Sequence, residues 1–133
     1  NIGFDIFDSY HKVMNIRNPW DRVVSMYHMK NQHLSFDDYV KSGTKDVDSL
    51  HHYCAINGSS CLDSVIRFES LHDDTISFMQ LNLSVSDLGG LEYPRAKTEH
   101  SKRPCFRSYY SEESKQIIED RYKQDIDFFN YKF

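Results

Sequence analysis

Two short apolar runs in this chain are each followed by a segment with helical character. The first run covers residues 12–16 (KVMNI) and the second is Ser64–Phe68 (SVIRF). Both are rich in β-branched and apolar side chains, which predicts two buried strands. After the first run, Asn18 is a good N-cap and Pro19 suits the first helical position. We therefore expect a helix from Pro19 to about Lys30.

Three further segments carry helix signals. Ser35 is a plausible cap for a short helix that ends near Gly43. A longer helix is predicted from Leu71 to about Leu81, because two aspartates in its first turn complement the helix dipole. Ser111 caps a third helix that should extend to about Lys123.

The remaining stretches are polar or aromatic. We expect residues 44–63 to be irregular and residues 84–108 to form a long loop of the kind that is usually functional in compact domains. The aromatic tail Ile126–Phe133 should pack onto the body of the protein. The order strand, helix, strand, helix predicts an α/β fold with a parallel sheet flanked by helices. Further strands are expected upstream of Asn1, or as edge strands in the polar stretches.

The composition is typical of a soluble globular domain. The chain has 133 residues, of which 39% are hydrophobic and 27% charged, and we expect a single domain. No apolar run approaches the roughly 20 residues that a membrane helix needs. The three cysteines fit a reducing compartment, and hence the cytoplasm, although Cys54 and Cys61 could pair. The spacing of these two cysteines with His51 and His52 fits no usual zinc site, so we expect no metal.

The charge is unevenly distributed. The net charge of −4 argues against a general nucleic-acid binder. The window from Arg95 to Arg107 nevertheless holds five basic residues against the single acid Glu99, which gives it a charge of +4. This pattern indicates either a localised anion site or a solvated basic loop, and both interpretations stay open.

The segment of residues 12–30 carries the most chemistry. A buried strand followed directly by Arg17 places the guanidinium at the carboxyl end of the sheet, where open α/β folds bind ligands. The first N–H groups of the next helix should point toward the same crevice. Helical spacing would allow Arg17, Arg22 and Ser25 to converge on one phosphate. The alternative is a surface helix with an ion pair between Arg17 and Asp21.

This segment, RNPWDRVVSMY at residues 17–27, resembles the 3′-phosphate-binding segment of sulfotransferases that use 3′-phosphoadenosine 5′-phosphosulfate (PAPS). The carbohydrate-type and bacterial branch is the most similar. Arg17 and Ser25 fall on the two 3′-phosphate ligands of that family, and Phe68 on an aromatic residue near adenine. The stretch from Ser101 to Tyr131 resembles its C-terminal loop and closing helix.

The resemblance implies a P-loop-type sulfotransferase fold, of which residues 1–133 would form the C-terminal two-thirds. It implies transfer of a sulfuryl group from PAPS to a hydroxyl of a carbohydrate or small molecule, with no metal. The 5′-phosphosulfate loop and the general base are expected upstream of Asn1, and His11 is a weak catalytic candidate. The donor-binding residues implied by the resemblance and by the helix spacing are Arg17, Arg22, Ser25, Phe68, Ser101, Lys102 and Arg103.

A second class of function remains open. A non-catalytic nucleotide- or nucleic-acid-binding module could use the basic 95–107 loop, with Phe106, Tyr109 and Tyr110 as stacking surfaces. That hypothesis accounts for the loop but not for the helix from Arg17 to Ser25. We favour the sulfotransferase hypothesis, with a nucleotide donor and a hydroxyl-bearing acceptor as partners and with neither nucleic acid nor membrane. The Golgi lumen is the alternative location.

Overall fold

The computed structural model of the protein describes residues 3–84 and 104–133. These residues divide into two compact units. The first unit comprises residues 3–16 and 52–84, and the second comprises residues 17–51 and 104–133.

The first unit contains a small parallel sheet. Strand β1 (Val13–Ile16) pairs with strand β4 (Ser64–Arg67), with Val13 opposite Ser64 and Ile16 opposite Arg67. Ile16 is almost completely buried. Both predicted strands are confirmed, and their parallel pairing confirms the α/β prediction at this level. Within the described residues this sheet has two strands.

Two helices flank these strands along the chain. Helix α1 (Phe4–Ser9) precedes β1 and was not predicted, because its six residues are too few to show a clear periodicity. Helix α5 (Leu71–Asn82) follows β4 after one 3₁₀ turn, which confirms the predicted helix. The Asp74 carboxylate holds this junction together, because it accepts hydrogen bonds from the Arg67 N–H at 2.8 Å and from the Ser70 hydroxyl at 2.9 Å.

The prediction that residues 44–63 are irregular was wrong in part. They contain a short helix α4 (His51–Cys54) and an antiparallel hairpin of β2 (Ala55–Ile56) and β3 (Ser59–Ser60). The turn residues Asn57 and Gly58 both have positive φ, 53° and 79°, which is the two-residue turn that suits a hairpin. Asn-Gly is a strong hairpin signal, but the flanking residues lack the apolar alternation that usually accompanies it.

The second unit is helical. It contains α2 (Pro19–Met26), α3 (Phe36–Lys41), α6 (Glu112–Arg121) and α7 (Lys123–Phe129). All three predicted caps are confirmed: the side chains of Asn18, Ser35 and Ser111 accept hydrogen bonds from backbone N–H groups in the first turn of their helices. The helices enclose one core of large buried side chains, namely Trp20, Val23, Tyr39, Val40, Val47, Ile118 and Tyr122.

Two predicted helices differ from the structure near their C-termini. The α-helix that starts at Pro19 ends at Met26, and a π-helical turn, Tyr27–Asn31, replaces its expected last turn. The Gln32 side chain donates to the His28 carbonyl at 2.7 Å and so satisfies one acceptor of that turn. The helix that starts after Ser111 ends at Arg121 rather than Lys123.

The break between α6 and α7 has a clear cause in the packing. Tyr122 leaves the helical conformation, with φ −107° and ψ 24°. Its hydroxyl donates to the Val47 carbonyl at 2.8 Å and lies 2.9 Å from the Thr44 hydroxyl, and both contacts are buried. A buried tyrosine needs such partners, so its position is fixed by the core and not by helix periodicity.

The aromatic tail packs against its own unit, as predicted. The ring of Phe133 contacts Trp20, Phe106 and Tyr110 edge to face, with ring centroids 5.5–5.7 Å apart. Asn130 takes the left-handed conformation that ends α7, with φ 54°, which asparagine tolerates better than most residues.

Candidate functional site

Arg17, Asp21 and Ser25 form one hydrogen-bonded group along α2, from the residue before its N-cap to its second turn. The Nε of Arg17 donates to Oδ2 of Asp21 at 2.7 Å, and its Nη1 donates to Oγ of Ser25 at 3.2 Å. The side chains of Arg17 and Asp21 are 18% and 15% exposed. The structure thus brings Arg17 to Ser25 and also forms the Arg17–Asp21 ion pair, so the two interpretations of this segment are not exclusive.

The carboxylate orients the guanidinium in this group. Because the Asp21 carboxylate accepts a hydrogen bond from Arg17 Nε, the Nη1 of the same side chain is directed toward Ser25. An oxyanion beside this pair could accept from the guanidinium and from the serine hydroxyl, because Ser25 Oγ at present acts as an acceptor and carries a proton of its own. A guanidinium and a hydroxyl are donors that suit phosphate oxygens.

The backbone at the start of α2 contributes less to such a site than we expected. Pro19 has no N–H, the N–H of Trp20 donates to Asn18 Oδ1 at 3.0 Å, and the N–H of Arg22 donates to the Asn18 carbonyl at 2.9 Å. Capping by Asn18 therefore engages the Trp20 N–H, and the Arg22 N–H is already part of the helix's own hydrogen bonds, so neither is available to an anion. Side chains have to supply most of the donors.

Arg22 is directed away from this group. Its Nη2 lies 2.8 Å from Oδ2 of Asp125, and its guanidinium carbon lies 5.4 Å from the ring centre of Tyr122. Its Nε and Nη1 are buried and have no hydrogen-bond partner within the part of the chain that the structure describes. The structure does not bring Arg22 to Arg17 and Ser25, and its role as a donor ligand stays a prediction.

Asp125 was not singled out as a site residue in the sequence. Its side chain is 1% exposed and accepts from the Ser49 hydroxyl at 2.6 Å, from the N–H groups of Leu50 and His51 at 2.9 Å each, and from Arg22. Burial raises the pKa of Asp125, but these hydrogen bonds outweigh burial and the pKa is lowered. Spacing gives no signal for this role, because all four donors are distant in sequence.

The first turn of α2 is also tied to the C-terminal tail. Nδ2 of Asn18 donates to the Lys132 carbonyl at 3.0 Å. The Tyr110 hydroxyl donates to the Trp20 carbonyl at 2.8 Å. These two bonds and the ion pair of Arg22 with Asp125 attach α2 to the C-terminal part of the same unit.

The other candidate residues are less constrained. In the first unit, Phe68 is 50% exposed, and its implied contact with adenine stays a prediction. His11 precedes β1, and its Nε2 lies 2.8 Å from Ser64 Oγ, at the amino end of the parallel strands. Its catalytic role also stays a prediction. Three further candidates lie outside the described residues, namely Ser101, Lys102 and Arg103.

Within residues 3–84 and 104–133, no helix is long and apolar enough to cross a membrane, and no group of three or more His, Cys, Asp or Glu side chains could hold a metal ion. Cys54 and Cys61 form no disulfide with each other among the described residues, so their possible pairing is not formed.

The parallel pairing of two strands and the surrounding helices make this a mixed α/β protein, and its helical unit holds a guanidinium hydrogen-bonded to a serine hydroxyl. The model of the sulfotransferase family matches residues 4–132, which is nearly the whole chain. The protein therefore belongs to the sulfotransferase family, and the predicted family is confirmed. No curated protein and no solved structure matches the chain.

Proposed function

We propose that this protein transfers a sulfuryl group from PAPS to a hydroxyl group of a carbohydrate or small molecule. Membership of the sulfotransferase family supports sulfuryl transfer. The observation that carries the more specific proposal is the hydrogen bond from Arg17 Nη1, just before α2, to Ser25 Oγ in the second turn of that helix. We further propose that the small parallel sheet belongs to a P-loop-type fold and that the chain belongs to the carbohydrate-type branch.

In this proposal Arg17 and Ser25 bind the 3′-phosphate of the donor. The guanidinium supplies charge and a planar set of donors, and the hydroxyl supplies one further hydrogen bond. Asp21 keeps the guanidinium turned toward Ser25 through its bond to Nε. The side chain of Arg17 is largely desolvated, and charge interactions are stronger in such surroundings than in bulk water.

These residues act on binding and orientation. PAPS supplies an activated sulfuryl group, whose sulfur forms a bond to the acceptor oxygen. Adenosine 3′,5′-bisphosphate (PAP) leaves with the electrons of the broken sulfur–oxygen bond, and a general base takes the proton of the acceptor hydroxyl. Arg17 and Ser25 would hold the 3′-phosphate, which is remote from sulfur, and so fix the position of the donor during the reaction. Their loss should therefore raise the donor KM more than it lowers kcat.

Calorimetric titration with PAP is the most direct test. We expect saturable binding of one PAP and no comparable affinity for a single-stranded oligonucleotide. Incubation with labelled PAPS and a panel of carbohydrates and small hydroxyl compounds should then give a labelled acceptor. Binding of the oligonucleotide with a steep salt dependence, together with failure to bind PAP, would support the nucleic-acid-binding alternative instead.

A further inference from the structure

Helix α2 is held on one side by a buried ion pair. Arg22 projects from this helix to Asp125 on α7, with 2.8 Å between Nη2 and Oδ2. Arg22 is one residue from Asp21 and three residues from Ser25, so its side chain leaves the helix on a face next to the one that contacts Arg17. Because a helix is rigid over so short a distance, fixing one of these faces also fixes the other.

Asp125 is itself held by more than Arg22. The Ser49 hydroxyl and the N–H groups of Leu50 and His51 donate to both of its oxygens, so the carboxylate cannot turn without breaking several hydrogen bonds. A carboxylate with so many donors keeps one position, and it therefore also restricts the position of the arginine that binds it.

The first turn of α2 has a second attachment to the C-terminal part of the chain. The amide of Asn18 donates to the Lys132 carbonyl while its oxygen caps the Trp20 N–H. Residues 125–132 therefore restrain α2 at its cap and again one turn later. Neither restraint involves the side chains of Arg17 or Ser25.

We propose that Asp125 is a positioning residue for the binding of the donor phosphate. It acts through Arg22, by fixing the rotation of α2 and hence the location of Ser25 relative to the Arg17 guanidinium. This inference rests on the proposed function, because it assumes that Arg17 and Ser25 bind a nucleotide phosphate. A role in stability alone would leave the nucleotide affinity of the folded protein unchanged.

The test compares Asp125→Asn with Asp127→Asn. Both substitutions remove one negative charge from α7, but Asp127 is exposed and pairs with the exposed Lys123. In samples shown to be folded by circular dichroism, we expect Asp125→Asn to raise the Kd for PAP by about fivefold or more, the lower range of coupling between linked sites. Asp127→Asn should bind PAP like the wild type.

A double-mutant cycle shows whether Asp125 acts through Arg22. Arg22→Met removes the partner of the carboxylate while keeping a long side chain. If the inference is correct, adding Asp125→Asn to Arg22→Met weakens PAP binding by less than Asp125→Asn does alone. Fully additive losses would contradict action through Arg22.

Hydrogen exchange of residues 19–26 provides a measurement that needs no nucleotide. Asp125→Asn should speed exchange in this helix, whereas Asp127→Asn should not. If the wild type binds no PAP but Asp125→Asn still speeds exchange in α2, the proposed function is wrong, whereas the restraint of α2 by Asp125 is supported. If the wild type binds PAP and Asp125→Asn changes neither affinity nor exchange, the inference fails and the proposed function stands.

A milder variant covers the case in which Asp125→Asn does not fold. Ser49→Ala removes one donor to the carboxylate and keeps the ion pair with Arg22. We expect it to fold, to speed exchange in α2 and to weaken PAP binding by about twofold to fivefold, as expected for one hydrogen bond. Wild-type affinity and exchange in this variant would overturn the inference.

Discussion

Arg17 donates to Ser25 across eight positions of sequence, with 3.2 Å between Nη1 and Oγ. The bond depends on Asp21, whose carboxylate lies between them in sequence and holds the Nε of the same guanidinium. The Asp21 carboxylate lowers the net positive charge of the proposed phosphate site, but it also restricts the orientation of the Arg17 guanidinium. We infer that Asp21 contributes to the geometry of the site at some cost in charge.

Loss of the Arg17 charge should weaken donor binding strongly. Arg17→Gln removes a largely desolvated guanidinium, and we expect the Kd for PAP to rise by about tenfold or more, since charge-assisted hydrogen bonds contribute roughly 1.5–3 kcal/mol. Lys41→Gln is the matched control, because it removes one positive charge from an exposed surface pair with Glu113. Equal affinities in the two folded variants would count against the proposed phosphate site.

Removal of the Ser25 hydroxyl should have a smaller effect. Ser25→Ala deletes one neutral donor, so we expect a loss of about 1 kcal/mol of binding free energy, or a rise in Kd of roughly fivefold. Ser77→Ala provides the comparison, because Ser77 is an exposed serine on helix α5. Calorimetry with PAP at constant ionic strength measures both. If Ser25→Ala binds PAP as tightly as the wild type, the Ser25 hydroxyl is not a phosphate ligand and only Arg17 remains in the proposed site.

Local signals were sufficient to predict the core of this site. The strand before Arg17, the cap at Asn18 and the proline after it all act within a few residues, and the structure contains each of them. The closeness of Asp21 and Ser25 follows from helical spacing, because they are four residues apart on α2, and Arg17 directly precedes the N-cap of that helix. These features are determined by short-range geometry, which sequence reasoning can follow.

The ion-pair partner of Arg22 could not be predicted in the same way. Its partner Asp125 is 103 positions away, and nothing in the spacing of α2 indicates which distant carboxylate will be buried beside it. The break at Tyr122 has the same origin, since it depends on a tertiary hydrogen bond to Val47. Long-range partners are selected by packing, and packing becomes visible only in three dimensions.

Asp125 should make the protein sensitive to acid. Its pKa is lowered in the folded state, so its contribution to stability is fully present above the unfolded pKa of about 3.9 and is lost as the pH falls through the folded pKa. We expect the difference in unfolding free energy between wild type and Asp125→Asn to be constant from about pH 7 to pH 5 and to shrink below about pH 4. Urea unfolding at each pH measures this difference.

The control for this experiment is again Asp127→Asn. Its carboxylate is exposed and its pair with Lys123 is solvent-screened, so its effect on the free energy of unfolding should be small at every pH. A difference between wild type and Asp125→Asn that stays constant down to pH values well below the unfolded pKa would show that the Asp125 carboxylate does not stabilise the fold in its charged form.

Buried tyrosines should limit stability at the alkaline end. Burial raises the pKa of Tyr110, and burial together with the hydrogen bond to Asp46 raises the pKa of Tyr39. Burial also raises the pKa of Tyr122. A group with a raised pKa binds its proton more tightly in the folded state, so stability is present below the unfolded pKa of about 10 and falls as the pH rises above it.

Absorbance of tyrosinate, followed together with circular dichroism, can test this prediction. Of the nine tyrosines in the chain, we expect Tyr39, Tyr110 and Tyr122 to ionise only as the second unit unfolds. Tyr39→Phe should remove one late-titrating group. It should also cost about 1 kcal/mol of unfolding free energy at neutral pH, because Asp46 loses the donor at 2.8 Å. Complete titration of all tyrosines while the circular dichroism remains native would contradict the buried hydrogen bonds of this core.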